Sequence, residues 1–99
     1  PYVILHELTH SFHDQVLSFE NKEIIAAYQR AEKAGLYEKV LLFRGGKTSH
    51  YARTNHKEFF AEMTESYLGV NDFYPFVRAE LQEHDPETYI LMQKIWGKI

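Results

Sequence analysis

One segment limits this chain more than any other. It is the apolar run up to Phe19, which carries the pattern His6-Glu7-Leu8-Thr9-His10. Pro1 suits a first helical position, where its missing N–H has no intrahelical partner to lose. The residues that follow predict a helix over 2–19. At about 100° per residue, Ile4, Leu8, Ser11, Gln15 and Phe19 fall on one side and His6, His10, His13 and Leu17 on the other. A helix apolar almost all round is expected to be buried on several faces.

Two histidines at i and i+4 stand about 40° apart on one helix face, within reach of a single ion. Zinc accepts imidazole nitrogen at about 2.0–2.1 Å. Glu7 flanks that face, where a carboxylate can take a proton from activated water without binding the metal. Val3-Ile4-Leu5 before the motif and Ser11-Phe12 after it are uncharged, as a buried metal helix requires. The plain alternative is a core helix with two satisfied histidines and a surface Glu. Burying that set without a metal carries a large desolvation cost, which argues against it.

A two-His site needs a third ligand. His13 shares the face of His6 and His10, but three residues over seven positions span about 10.5 Å of helix axis, too long for one ion. A metzincin would need Gly at position 13 and His at position 16; this chain has His13 and Val16. His13 is expected to hydrogen-bond nearby or line the cleft. The better candidate is Glu58, in Asn55-His-Lys-Glu58-Phe-Phe-Ala-Glu62, since catalytic zinc sites commonly take two His and one Glu and leave a fourth position for water. Glu58 and Glu62 share a helix face at i, i+4. One can bind metal while the other orients a ligand His through its free ring nitrogen. Glu58 also fits a capping box with Asn55, a competing use of the same carboxylate. For Glu62 and Glu65 the plain reading is a solvated helix face.

Elsewhere, the pattern predicts a polar helix over 22–34 stopped by Gly35. A β-hairpin near 39–52 follows, with Gly45-Gly46 at its turn. Asn55 caps a helix to Leu68, stopped by Gly69, and a turn covers Val70 to Tyr74. Pro75 opens a short helix to about Glu83. Asp85-Pro86 starts a last helix to Trp96. The fold class is therefore mainly α with a small β element. The chain has 99 residues, enough for one small domain, and its seven Phe and seven Tyr supply a core. A net charge of −3 without a long basic run excludes nucleic acid as a partner. The absence of Cys excludes a disulfide framework and a thiolate zinc site. No apolar run reaches the roughly 18 residues that span a membrane, and no signal peptide is visible. Gly46-Lys47-Thr48 lacks the Gly that a phosphate-binding loop places at position 41, which is Leu41. His50, His56 and His84 belong to no partner pattern, although His50 and His56 flank the proposed site. Pro1 in place of Met, with the motif only six residues in, reads as a fragment whose upstream half lies elsewhere.

The stretch Tyr51-Ala-Arg-Thr-Asn55-His-Lys-Glu58-Phe-Phe-Ala-Glu62 closely resembles the catalytic domain of anthrax toxin lethal factor and its bacterial relatives. His6 to Gln15 resembles the metal helix of the same family. The resemblance covers roughly residues 1–68. Residues 69–99 look more like uncharacterised bacterial and fungal members of that superfamily. The resemblance implies a gluzincin, a zinc metallopeptidase acting on a peptide or protein substrate, with Zn2+ as cofactor. It implies His6, His10 and Glu58 as ligands and Glu7 as general base. It makes Tyr51 an oxyanion donor, against an ordinary strand aromatic as the plain reading. By analogy with gluzincins generally, Glu62 supports His6. It further implies a zincin-like domain of which residues 1–99 are the C-terminal, helix-rich half, lacking the upstream β-sheet that pairs with substrate. The face of Ile4, Leu8 and Phe12 is then expected to lack part of its cover. A secreted setting follows from the same resemblance. A second reading is a non-catalytic zinc-binding or peptide-recognition module that keeps the motif as a relic. Intact Glu7 argues against it. No motif selects a particular substrate or oligomeric state.

Overall fold

A computed structural model of the chain describes residues 3–97; Pro1 and Tyr2, which the sequence places in the first helix, lie outside them. The architecture follows from one helix, α3 (His56–Leu68), whose residues Phe59 to Tyr67 are all buried. A helix apolar on one stripe needs one neighbour, whereas a helix buried all round needs several. α3 has them: α1 (Val3–Phe12), α2 (Lys22–Ala34), a 3-10 turn at Tyr51–Arg53, α4 (Arg78–His84) and α5 (Pro86–Trp96) all pack against it. Phe59, Phe60, Met63 and Tyr67 form the middle of the core, with Ile24 and Ala31 from α2, Leu81 from α4, and Leu91 and Met92 from α5.

The ends of the helices obey local chemistry. The Asn21 side chain accepts from the Ile24 N–H to open α2, and Gly35, at φ 69°, closes it by donating to Ala31 and Glu32 carbonyls. That left-handed conformation is open to glycine at little steric cost. Asn55 accepts from the Glu58 N–H to open α3, and Asp85 accepts from the Thr88 N–H to open α5, with Pro86 just inside. Asp85 also receives the Tyr37 hydroxyl at 2.9 Å and the Arg30 guanidinium at 3.1 Å, so a buried carboxylate is fully paired. The pattern expected α4 to start at Pro75. It starts instead at Arg78, because the Glu80 carboxylate accepts the Phe76 and Val77 N–H groups at 3.0 and 3.3 Å and sets the first turn there.

The hairpin is present but short. β1 (Val40–Leu41) pairs antiparallel with β2 (Lys47–Thr48), with Val40 opposite Thr48 and Leu41 opposite Lys47. Gly45 and Gly46, at φ 103° and 80°, make the turn. A second contact extends β1 on its other edge, where Leu42 bridges Phe73 and the Tyr74 N–H donates to the Leu41 carbonyl at 2.8 Å. The expected hairpin does not continue to residue 52. After Thr48 the chain winds into the 3-10 turn, because the buried ring of His50 accepts the Ala52 N–H at 3.0 Å and Arg53 is held by Glu32 at 2.7 Å. This turn brings Tyr51 to the start of α3.

Two expectations for the first helix are corrected. It ends at Leu17, its last turn over His13–Leu17 being π-helical, and Ser18 at φ 70° turns the chain away. It is also buried on one face only. Thr9 and His13 are buried, but Ile4 and Leu8 are 76% and 63% exposed. α1 lies on α3, with Phe12 against Trp96 at 4.7 Å between ring centroids, and no described residue covers its other side. The expected lack of cover over Ile4 and Leu8 is what the structure shows; Phe12 is only partly exposed. No helix among the described residues is long and apolar enough to cross a membrane.

His13 makes no hydrogen bond from either ring nitrogen among the described residues. It is fully buried beside Phe19 and Phe60, so the expected hydrogen bond or cleft position is not found. Burial, aided by the nearby His56, lowers its pKa to about 4. A histidine held neutral in this way contributes stability that is present above its unfolded pKa, near 6.5, and is lost as pH falls toward 4. Replacing it by a shape-compatible apolar residue removes that loss. The stability of His13→Leu relative to wild type is therefore expected to rise as pH drops from 7.5 to 5, by up to roughly 1.4 kcal/mol per pH unit below 6.5. Urea titration at several pH values measures it, and a pH-independent difference would show that the ring titrates in the fold as it does unfolded.

Candidate metal centre

α1 and α3 lie side by side with the polar stripe of each facing the other. Thr9 closes the seam: its hydroxyl bonds back to the Leu5 carbonyl at 2.7 Å, which lets a polar residue sit buried. On α1, His6 and His10 stand one turn apart with ring centroids 4.7 Å from each other. On α3, Glu58 occupies the first turn. Its backbone N–H goes to Asn55, but its carboxylate does not complete the capping box. It turns across to α1, with Oε1 at 2.8 Å from His6 Nε2 and 3.1 Å from His10 Nε2. The two Nε2 atoms are 3.2 Å apart.

Three ligand-capable atoms thus form a small triangle. Ligand atoms on a tetrahedral ion with bonds near 2.1 Å stand roughly 3.4 Å from one another, close to the observed edges. The donor count points the same way. His6 Nδ1 meets Glu65 Oε1 at 2.7 Å and Glu62 Oε2 at 3.3 Å, while its Nε2 meets Glu58. A neutral imidazole carries one N–H, so it can satisfy one of these ends and not both. A cation on the Nε2 side resolves the conflict, leaving the single proton on Nδ1. The electrostatics agree: burial disfavours protonated His6, but hydrogen bonds to Glu65 and Glu58 and the charge of Glu62 outweigh it and raise its pKa. A second proton on the ring or a cation at Nε2 each supplies the positive charge these carboxylates favour, and it is the near-tetrahedral spacing of the three ligand atoms that suits an ion. The residues present fit such an ion.

A second group, His6 with Glu62 and Glu65, also brings ligand atoms together. Both of its carboxylates are buried. Burial and the neighbouring Glu65 push Glu62 up to about 7, and burial raises Glu65 against the pull of His6. The contact of Glu65 with His6 at 2.7 Å has the form in which a carboxylate supports a histidine whose other nitrogen could bind a metal. The Glu58 group is half-buried, with side-chain exposures of 20% for His6 and Glu58 and 27% for His10. These three side chains are therefore partly open to solvent.

The other candidates take distinct places. Glu7 is exposed on α1, about 60° round the helix from His10 and about 100° from His6, and its carboxylate belongs to neither group. Tyr51 is about half exposed, and its ring centroid lies 6.5 Å from that of His6. Glu62 is near His6, but the plain reading of Glu62 and Glu65 as a solvated face fails, since both are buried. Glu65 was not singled out by the sequence, although Glu58, Glu62 and Glu65 follow an i, i+4, i+7 spacing that places all three on one stripe. His13, His50 and His56 stay outside the triangle. His50 caps the 3-10 turn, and His56 Nε2–H donates to the Phe19 carbonyl at 2.6 Å.

Comparison of the chain with protein-family models, with curated proteins and with solved structures gives no match. Glu58→Ala and His10→Ala are each expected to lower zinc affinity at least about 100-fold, more than the loss of a supporting partner costs. His13→Ala and His56→Ala should leave it nearly unchanged. Chelator competition measures all four, and a damaging His13→Ala beside a silent Glu58→Ala would overturn the ligand set.

Proposed function

We propose that this chain is the metal-bearing, helix-rich part of a zincin-like metallopeptidase domain of the gluzincin kind, which hydrolyses peptide bonds in a peptide or protein substrate. The observation that carries the reading is the convergence of His6 Nε2, His10 Nε2 and Glu58 Oε1 within 3.2 Å of one another, beside an exposed Glu7 that joins neither group. Two imidazoles and one carboxylate suit zinc, and their half-exposed side leaves room for water and substrate. A zinc ion held there supplies Lewis acidity, which makes water nucleophilic near neutral pH and polarises a carbonyl.

The chain's own residues do the rest. Glu7 takes the proton of the attacking water on its carboxylate and returns it to the leaving amine nitrogen, general acid–base work that contributes about 10²–10⁴-fold. Tyr51 donates its phenolic hydrogen to the carbonyl oxygen as negative charge develops there. His6 and His10 hold the metal as neutral ligands, and Glu58 supplies one negative charge.

The experiment is to load the protein with zinc and present a mixed peptide library. Wild type should cleave, and Glu7→Gln should retain zinc while losing at least about 100-fold in rate. Tyr51→Phe should keep zinc and substrate affinity and lower kcat. Zinc bound without cleavage by wild type would point instead to a non-catalytic zinc-binding module. No zinc in wild type would contradict both readings.

A further inference from the structure

We propose that Glu65, and not Glu62, is the residue that holds the ring of His6 in place for the metal. The proposal rests on the metal-centre reading above. It differs from the role assigned by resemblance, which gave this task to Glu62.

If Nε2 of His6 gives its lone pair to a metal, its one proton sits on Nδ1 and must be donated. Two carboxylates face that nitrogen. Glu65 Oε1 is at 2.7 Å, the distance of a charge-assisted bond, and Glu62 Oε2 at 3.3 Å lies beyond that range. The other oxygen of Glu62 is 3.9 Å from His50 Nδ1, which already accepts the Ala52 N–H and offers no proton. Glu62 therefore stands between two histidines without receiving a short bond from either ring.

Position along α3 supports the same assignment. Glu58 and Glu65 are seven residues apart, about two turns, so they fall nearly in line on the helix. The His6 ring spans the gap, with Nε2 on Glu58 and Nδ1 on Glu65. α3 is rigid over this stretch because every residue from Phe59 to Tyr67 is buried. Fixing both ends of one ring on one helix sets its rotation, and with it the direction of the Nε2 lone pair toward the point shared with His10. Glu65 does not touch that point; it acts through His6 as a positioning residue.

The test uses the full chain with zinc, chelator competition for affinity, and ¹⁵N NMR of the histidine rings for the Nδ1–H of His6. Glu65→Ala should lower zinc affinity about 10–100-fold, as loss of such a partner does, and move the His6 Nδ1 resonance while circular dichroism stays unchanged. Glu65→Gln keeps a carbonyl acceptor and should restore most of the affinity. Glu62→Ala should change affinity by less than about threefold, well under the loss of a true partner, and leave the resonance in place. A larger effect from Glu62→Ala, or an unmoved resonance in Glu65→Ala, overturns the assignment while zinc binding by wild type keeps the metal centre intact. If wild type binds no zinc, the metal centre itself fails and this inference with it. Should Glu65→Ala not fold, Glu65→Gln decides: its Nδ1 resonance shifts if Glu65 is the acceptor and stays if Glu62 is.

Discussion

A single histidine ring faces carboxylates at both of its nitrogens, and the site is organised around that conflict. His6 meets Glu58 on one side and Glu65 with Glu62 on the other. All three acids come from α3, the helix that also forms the centre of the core. Charged groups taken out of water destabilise a fold unless they are paired. Here a positive charge completes the pairing, carried either by a second proton on His6 or by a cation in the triangle of His6, His10 and Glu58. An ion that bound only the folded arrangement would add its binding energy to stability.

The packing around α3 makes that arrangement hold. Phe59, Phe60, Met63 and Tyr67 anchor the helix on its buried faces, so the carboxylates on its remaining stripe have little freedom. α1 is seated against that stripe by Thr9 and by Phe12 on Trp96. Its opposite face, with Ile4 and Leu8, is left uncovered. The His6 and His10 side of α1 is thus packed by this chain, and the other side shows no contribution from the described residues.

Much of this was legible in the sequence because it depended on local chemistry. Gly35, Asn55 and the Asp85-Pro86 pair mark helix ends through bonds to neighbours a few residues away, and they sit where the pattern put them. The triangle was legible too, since His6 and His10 lie one turn apart and Glu58 was the best-placed carboxylate to join them. What escaped was decided between elements. Whether Glu65 faces water or His6 depends on how α1 crosses α3, and no local rule states that angle. The 3-10 turn at Tyr51 depends on His50 being buried and free to cap Ala52. The start of α4 at Arg78 depends on Glu80 turning back to Phe76 and Val77, a capping choice that competed with the Pro75 signal. The fate of His13, neutral and without a partner among the described residues, is likewise set by the rings of Phe19 and Phe60 that close over it.

X-ray absorption spectroscopy of the zinc-loaded chain tests the central claim most directly, because it reads the atoms around the metal without requiring a substrate. Two imidazole nitrogens and a carboxylate oxygen, with one further light oxygen, should surround one zinc per chain at about 2.0–2.2 Å. The imidazole signal should halve in His10→Ala. A zinc environment with no imidazole contribution, or one unchanged by His10→Ala, would contradict the account.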